Sequence, residues 1–165
     1  MRALTVCEPF ASALIFGGKN IENRQRDLRY RGPLLIHAGL SLRWFTPENC
    51  EWVNKRWSGC PANPIAAMHL FKHRLGKVIG VLYMDAPVSL EDSQKSLWRE
   101  WATGPVCHPC LLPHPVTPFT YRGNQGVFTI PSAHLPADVI AAADDICNGR
   151  AAEPAARAQL MEPRS

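Results

Sequence analysis

Phe16-Gly17-Gly18-Lys19-Asn20-Ile21-Glu22-Asn23-Arg24 ends an apolar run, Ala11 to Phe16, with two glycines and then three charged residues spaced three and two apart. Glycine reaches backbone angles that other residues avoid, so the pair predicts the end of a helix and a sharp turn. Pro9 stands near the expected helix start, where its missing N–H does no harm. Phe10, Ala13 and Leu14 fall at i, i+3 and i+4, one apolar helical face. Lys19 to Arg24 is then the turn and the opening of a strand. Within a strand Glu22 and Arg24 share a face, because side chains alternate. Lys19 joins them only from the turn, since inside the strand it would point the other way.

Outward from this stretch the chain reads as short strands interrupted by helices. Arg2 to Val6 alternates around Leu4 and Val6 and predicts a first strand. Leu34-Leu35-Ile36 is a continuous apolar run between Gly32-Pro33 and Gly39, the pattern of a strand buried on both faces. An insert from about 41 to 75 carries two helix starts, Thr46-Pro47 and Asn63-Pro64, each a capping side chain followed by proline. Its aromatic residues Trp44, Phe45, Trp52 and Trp57 read mainly as packing, with base stacking as the functional alternative. Lys77 to Met84 is a β-branched strand that ends at Asp85. Leu90 to Thr103 predicts a helical excursion with Trp98 and Trp101 on one side. Pro105 to Pro118 carries five prolines and is expected to hold no regular structure. Phe119 to Ile130 returns to strand character around Gly123-Asn124-Gln125-Gly126. The alanine-rich stretch 133–148 predicts a helical extension, and 149–165 is too poor in apolar residues to order itself.

The Gly-x-Lys-x-x-Glu-x-Arg pattern resembles the ASCH family of the PUA-like superfamily. Tyr30 to Ala38, Gly76 to Val81 and Tyr121 to Phe128 resemble that family's further strands in the same order, so the resemblance spans roughly residues 2 to 131. It implies an α+β fold, a small PUA-like mixed β-barrel with short helices packed around it, over residues 1–132. It also implies a cleft beside the first helix lined by Lys19, Glu22 and Arg24. Related sequences usually carry Gln-Pro-Trp where this chain has Glu8-Pro9-Phe10.

Composition sets the remaining bounds. The chain of 165 residues, 46% hydrophobic, fits one domain with one core. No run reaches the ~18 apolar residues of a membrane span, and the N-terminal segment is charged too early for a signal peptide, so a cytoplasmic protein is expected. The net charge of +4 allows a polyanionic partner without demanding one. Lys19, Arg24, Arg26, Arg29 and Arg31 cluster against Glu22 and Asp27, a phosphate-facing patch or a solvated strand. His37 closes the third strand and faces either this site or a loop. Six cysteines without a leader argue against a disulfide framework. Cys107 and Cys110 have zinc-ligand spacing, but a lone Cys-x-x-Cys is a weak signal, so no cofactor or metal is expected.

Three functions follow as expectations. The first is binding of single-stranded RNA or a nucleotide-like ligand, with Lys19, Glu22, Arg24, Arg26, Arg31, His37 and Tyr121 as contacts. The second is a hydrolase of the same family, either a ribonuclease or an amidohydrolase on a modified nucleoside such as N4-acetylcytidine. Lys19 would be a desolvated base there and Glu22 its partner. The amidohydrolases it resembles place a threonine nucleophile where Glu22 stands, and a glutamate does not replace an alkoxide. The third is a zinc-stabilised interaction module on Cys107 and Cys110.

Overall fold

The computed structural model describes residues 1–152. Strand β1 (Arg2–Val6) leads into helix α1 (Phe10–Phe16), and a turn enters β2 (Ile21–Arg24). The two glycines of that turn do different work. Gly18 adopts φ +68°, the left-handed region where a side chain is strained. Gly17 has an ordinary φ of −110°, but a Cβ on it would lie 2.5 Å from the Trp57 ring. Gly18 turns the chain, and Gly17 makes room for the insert. The N–H groups of Gly17 and Lys19 both donate to the Ala13 carbonyl at 3.0 Å, which satisfies the helix end.

β3 (Gly32–Ala38) pairs parallel with β1 and antiparallel with β4 (Lys77–Met84). β6 (Val106–Thr120) and β7 (Val127–Thr129) complete a row in the order β2-β6-β4-β3-β1-β7, with β5 (Val88–Ser89) paired to β6. The sheet curls into a half-barrel with helices around it, an α+β architecture. Alternation along the central strands explains their unbroken apolar runs. Leu4, Leu34, Ile36, Ile79 and Leu82 pack on the α1 side, while Ala3, Leu35, Val78 and Val81 face α5 (Ala137–Ala152) through Val139, Ala142 and Ile146. A strand covered on both faces has no polar side to alternate with.

The insert folds as α2 (Pro47–Asn54), α3 (Pro64–Phe71) and a 3₁₀ turn, Lys72–Arg74. Both helices start where the sequence signals them. Thr46 Oγ1 accepts from the Asn49 N–H at 3.3 Å, and Asn63 Oδ1 accepts from the Ala66 N–H at 3.0 Å. A third apolar cluster, built from Cys50, Val53, Phe71 and Trp101, ties this insert to the flank of the sheet.

Three expectations change. The proline-rich stretch is not irregular: Val106–Thr120 is the longest strand. Proline's fixed φ suits extended backbone, and its missing donor is tolerated where pairing slips. Register shifts opposite Val78/Gly80 and Val81/Tyr83, together with Leu112 at φ +52°, absorb Pro113 and Pro118. Second, only α4 (Leu90–Gln94) of the predicted excursion is a helix. Ser96 Oγ donates to the Ser93 carbonyl and accepts from the Trp98 N–H, which turns the chain out of the helix so that Trp101 meets Trp52 edge-on at 5.2 Å. Third, α5 passes the expected boundary at 148 and reaches Ala152; the rest of the expected tail, 153–165, lies outside the described residues. Among the described residues no helix is long and apolar enough to cross a membrane.

Candidate functional site

A cavity of about 560 Å³ opens where the end of β1, the start of α1, β2 and α2 converge. The turn after Gly18 delivers Lys19 to it, and strand alternation delivers Glu22 and Arg24 from one face of β2. Lys19 and Glu22 are only 4% and 6% exposed, so their charges must be paired. Lys19 Nζ donates to Glu22 Oε2 at 2.9 Å and to the Ile21 carbonyl. Arg24 Nε lies 3.1 Å from Glu22 Oε1, close enough for an ion pair but not aligned as a hydrogen bond. Arg24 Nη2 donates to the Thr5 carbonyl at 3.2 Å, which fixes the guanidinium at the rim. Burial pushes the Glu22 carboxyl up, but Lys19 and Arg24 outweigh it and hold the group below the usual carboxylate range. Glu22 is therefore a fixed anion between two cations, with two of the Lys19 protons committed to acceptors.

The opposite wall comes from the insert. Phe10 meets Trp44 and Trp52 edge-on, both at 6.2 Å between centroids. The Arg43 guanidinium stands 5.2 Å from the Trp44 centroid, and Glu48 and Asn49 of α2 complete the mouth. Trp44 is 37% exposed, which leaves ring surface open to a ligand. Cys7 also lines the cavity; burial raises its thiol despite Arg43 and Arg24 nearby, so it is a protonated, weakly reactive group at neutral pH.

Asn23, itself part of the lining, and His108 behind it hold the wall in place. Asn23 Oδ1 accepts from the N–H groups of Thr103 at 2.8 Å and Gly104 at 3.0 Å, and its Nδ2 donates to the Trp101 carbonyl at 2.8 Å. His108 sits opposite Glu22 in the β2–β6 register and is fully buried. Burial lowers its pKa, against the pull of Asp27 and Glu22, so the ring is neutral and Nε2 accepts from the Leu28 N–H at 3.3 Å. Neither residue stands out in the sequence: Asn23 is a polar residue between two charges, and His108 lies in the stretch expected to be irregular. Glu8, where related sequences usually carry glutamine, does not line the cavity. It is buried under α1, accepting from the Ser12 N–H at 3.0 Å and from Ser12 Oγ at 2.7 Å.

Not every expected contact gathers here. Arg26 is exposed on the loop after β2, and Arg31 pairs through Nε with Asp85 Oδ1 at 2.8 Å. His37 and Tyr121 line a second hollow on the far side of β1. The basic stretch is divided because the chain reverses between β2 and β3. Cys107 and Cys110 do not converge either. Three residues apart on a strand they face opposite ways, Cys107 toward Asn23 Oδ1 at 3.7 Å and Cys110 into the core beneath α1. Burial pushes the Cys110 thiol up to about 12, against the thiolate that zinc requires. Among the described residues no group of three His, Cys, Asp or Glu side chains could hold a metal ion.

No family model matches the chain, and no curated protein matches it. Among solved structures it is similar to the ASCH protein from Zymomonas mobilis, at 13% identity and a TM-score of 0.47, covering 80% of this chain and 88% of that one. It is similar to a single-substitution variant of that protein at 14% identity and a TM-score of 0.48, covering 79% and 90% respectively.

Proposed function

We propose that the chain binds single-stranded RNA or a nucleotide through this cavity, the function its ASCH-like sequence pattern implies. The observation that carries the reading is an oriented carboxylate between two cations, facing a wall of aromatic rings. Glu22 accepts from the amino or imino N–H of a base edge, as carboxylates do for cytosine N4. The exposed face of Trp44 stacks on the base, and Arg43 and Arg24 meet the phosphate. Lys19 is a positioning residue that keeps Glu22 charged and aimed.

This geometry favours binding over hydrolysis. A general base must reach the proton it abstracts, and the Lys19 amine is directed to Glu22 and to a backbone carbonyl. The test is titration of single-stranded RNA against the protein, with tryptophan fluorescence and calorimetry as readouts. Affinity is expected to fall as salt rises and to drop in Trp44→Ala. Absence of binding, or affinity indifferent to salt, overturns the reading. Lys19-dependent release of acetate from N4-acetylcytidine would overturn the preference for binding over hydrolysis.

A further inference from the structure

The second hollow, about 730 Å³, shares a wall with the first: Thr5 lines both. Its carbonyl accepts from Arg24 at the first cavity, and its hydroxyl meets His37 Nδ1 at 3.2 Å in the second. The loop between β6 and β7 is pressed onto this junction. His37 Nε2 lies 3.0 Å from the Tyr121 carbonyl, and a Cβ on Gly123 would lie 2.5 Å from His37 and 2.8 Å from Thr5 Oγ1. The loop carrying Arg122 and Gln125 is thus fixed before any ligand arrives. Along the outer rim, Leu40 borders the second hollow while Arg43 and Trp44 border the first. Leu40 is 74% exposed, Leu42 48% and Trp44 37%, so three apolar side chains reach the surface within five residues. Among the described residues lining the second hollow there is an arginine and no carboxylate.

We infer that the two hollows are consecutive subsites for one single-stranded RNA, so that the ligand is an oligonucleotide rather than a free nucleoside. The inference rests on the proposed function and deepens it. One base occupies the cavity of Glu22 and Trp44. The backbone crosses the rim past Arg43, and the adjoining nucleotide lies over the second hollow. There Arg122 meets a phosphate and the Gln125 amide, with donors and an acceptor, meets a base edge. Apolar side chains beside arginines suit unpaired bases, since every base offers a π-face and every linkage a charge. Preorganisation of the Tyr121–Gln125 loop by His37 and Thr5 lowers the ordering cost of the second contact.

The experiment measures dissociation constants by calorimetry for ribonucleoside 5′-monophosphates and for 5′-phosphorylated ribodinucleotides, with the whole chain and with Arg122→Glu. The best dinucleotide should bind about tenfold more tightly than the best mononucleotide, the gain of one added base and phosphate contact. Arg122→Glu should abolish that gain while leaving mononucleotide affinity within about twofold, because its side chain lies at the second hollow only. A dinucleotide no tighter than a mononucleotide overturns the inference and leaves the single-base cavity standing. An Arg122→Glu effect equal on both ligands also overturns it, as that outcome marks a general electrostatic field. If neither ligand binds, the proposed function falls with it. Circular dichroism of the variant, which alters an exposed side chain, checks that it is folded.

Discussion

Replacing Glu22 by glutamine tests the ion triplet on which the site is built. The substitution keeps the side chain's shape and removes the charge between Lys19 and Arg24. Lys19, 4% exposed, would then be a buried ammonium facing a neutral amide and the Ile21 carbonyl. Removing one partner of a buried pair costs about 3–5 kcal/mol, because the remaining charge stays out of water without compensation. For a chain of this size that corresponds to a fall in Tm of roughly 6–20 °C. Lys19→Met should cost less, since Glu22 keeps Arg24 as a partner and the linear apolar chain fills the space. The double variant Lys19→Met/Glu22→Gln should be more stable than the sum of the two single effects allows, the mark of direct coupling. Urea unfolding of all four proteins measures this. The pH dependence gives a second readout. Glu22 titrates below its ordinary pKa when folded, so the unfolded chain holds more protons there. Its contribution is full above the ordinary carboxylate pKa and is lost as pH falls through the folded value. Glu22→Gln should remove that part of the acid slope. A Glu22→Gln protein within about 1 kcal/mol of the parent and with an unchanged acid slope would refute the buried triplet.

Three other outcomes follow from separate contacts. Burial holds Glu8 above its ordinary pKa, so stability falls as pH rises from the ordinary carboxylate value to the folded one; Glu8→Gln should flatten that slope and stabilise the protein at pH 7, as read by thermal melts across pH. Trp44→Ala should weaken RNA binding by about 1–3 kcal/mol, yet leave stability within about 1 kcal/mol because the ring is partly exposed. A Cβ at Gly80 would lie 2.6 Å from Ile15 Cδ1, so Gly80→Ala should destabilise by about 1–3 kcal/mol and be partly rescued by Ile15→Val, as read by urea unfolding.

The residues around Lys19 were legible because their chemistry is local. A left-handed glycine, a turn and a strand's alternation fix where three neighbouring side chains point, whatever surrounds them. The helix starts at Thr46 and Asn63 were legible for the same reason: each cap is closed by a backbone N–H three residues away. The strand from Val106 to Thr120 was not, because proline content describes what a segment cannot donate and not which neighbours accept its irregular register. Tertiary packing alone decided that Trp44 and Trp52 of the insert pack edge-on against Phe10 in the cavity wall, and that His37 and Tyr121 fall on the other side of β1 from Glu22. Such meetings join residues tens of positions apart. Their geometry is set by how the apolar faces of sheet and helices bury one another, which no single stretch of the chain encodes.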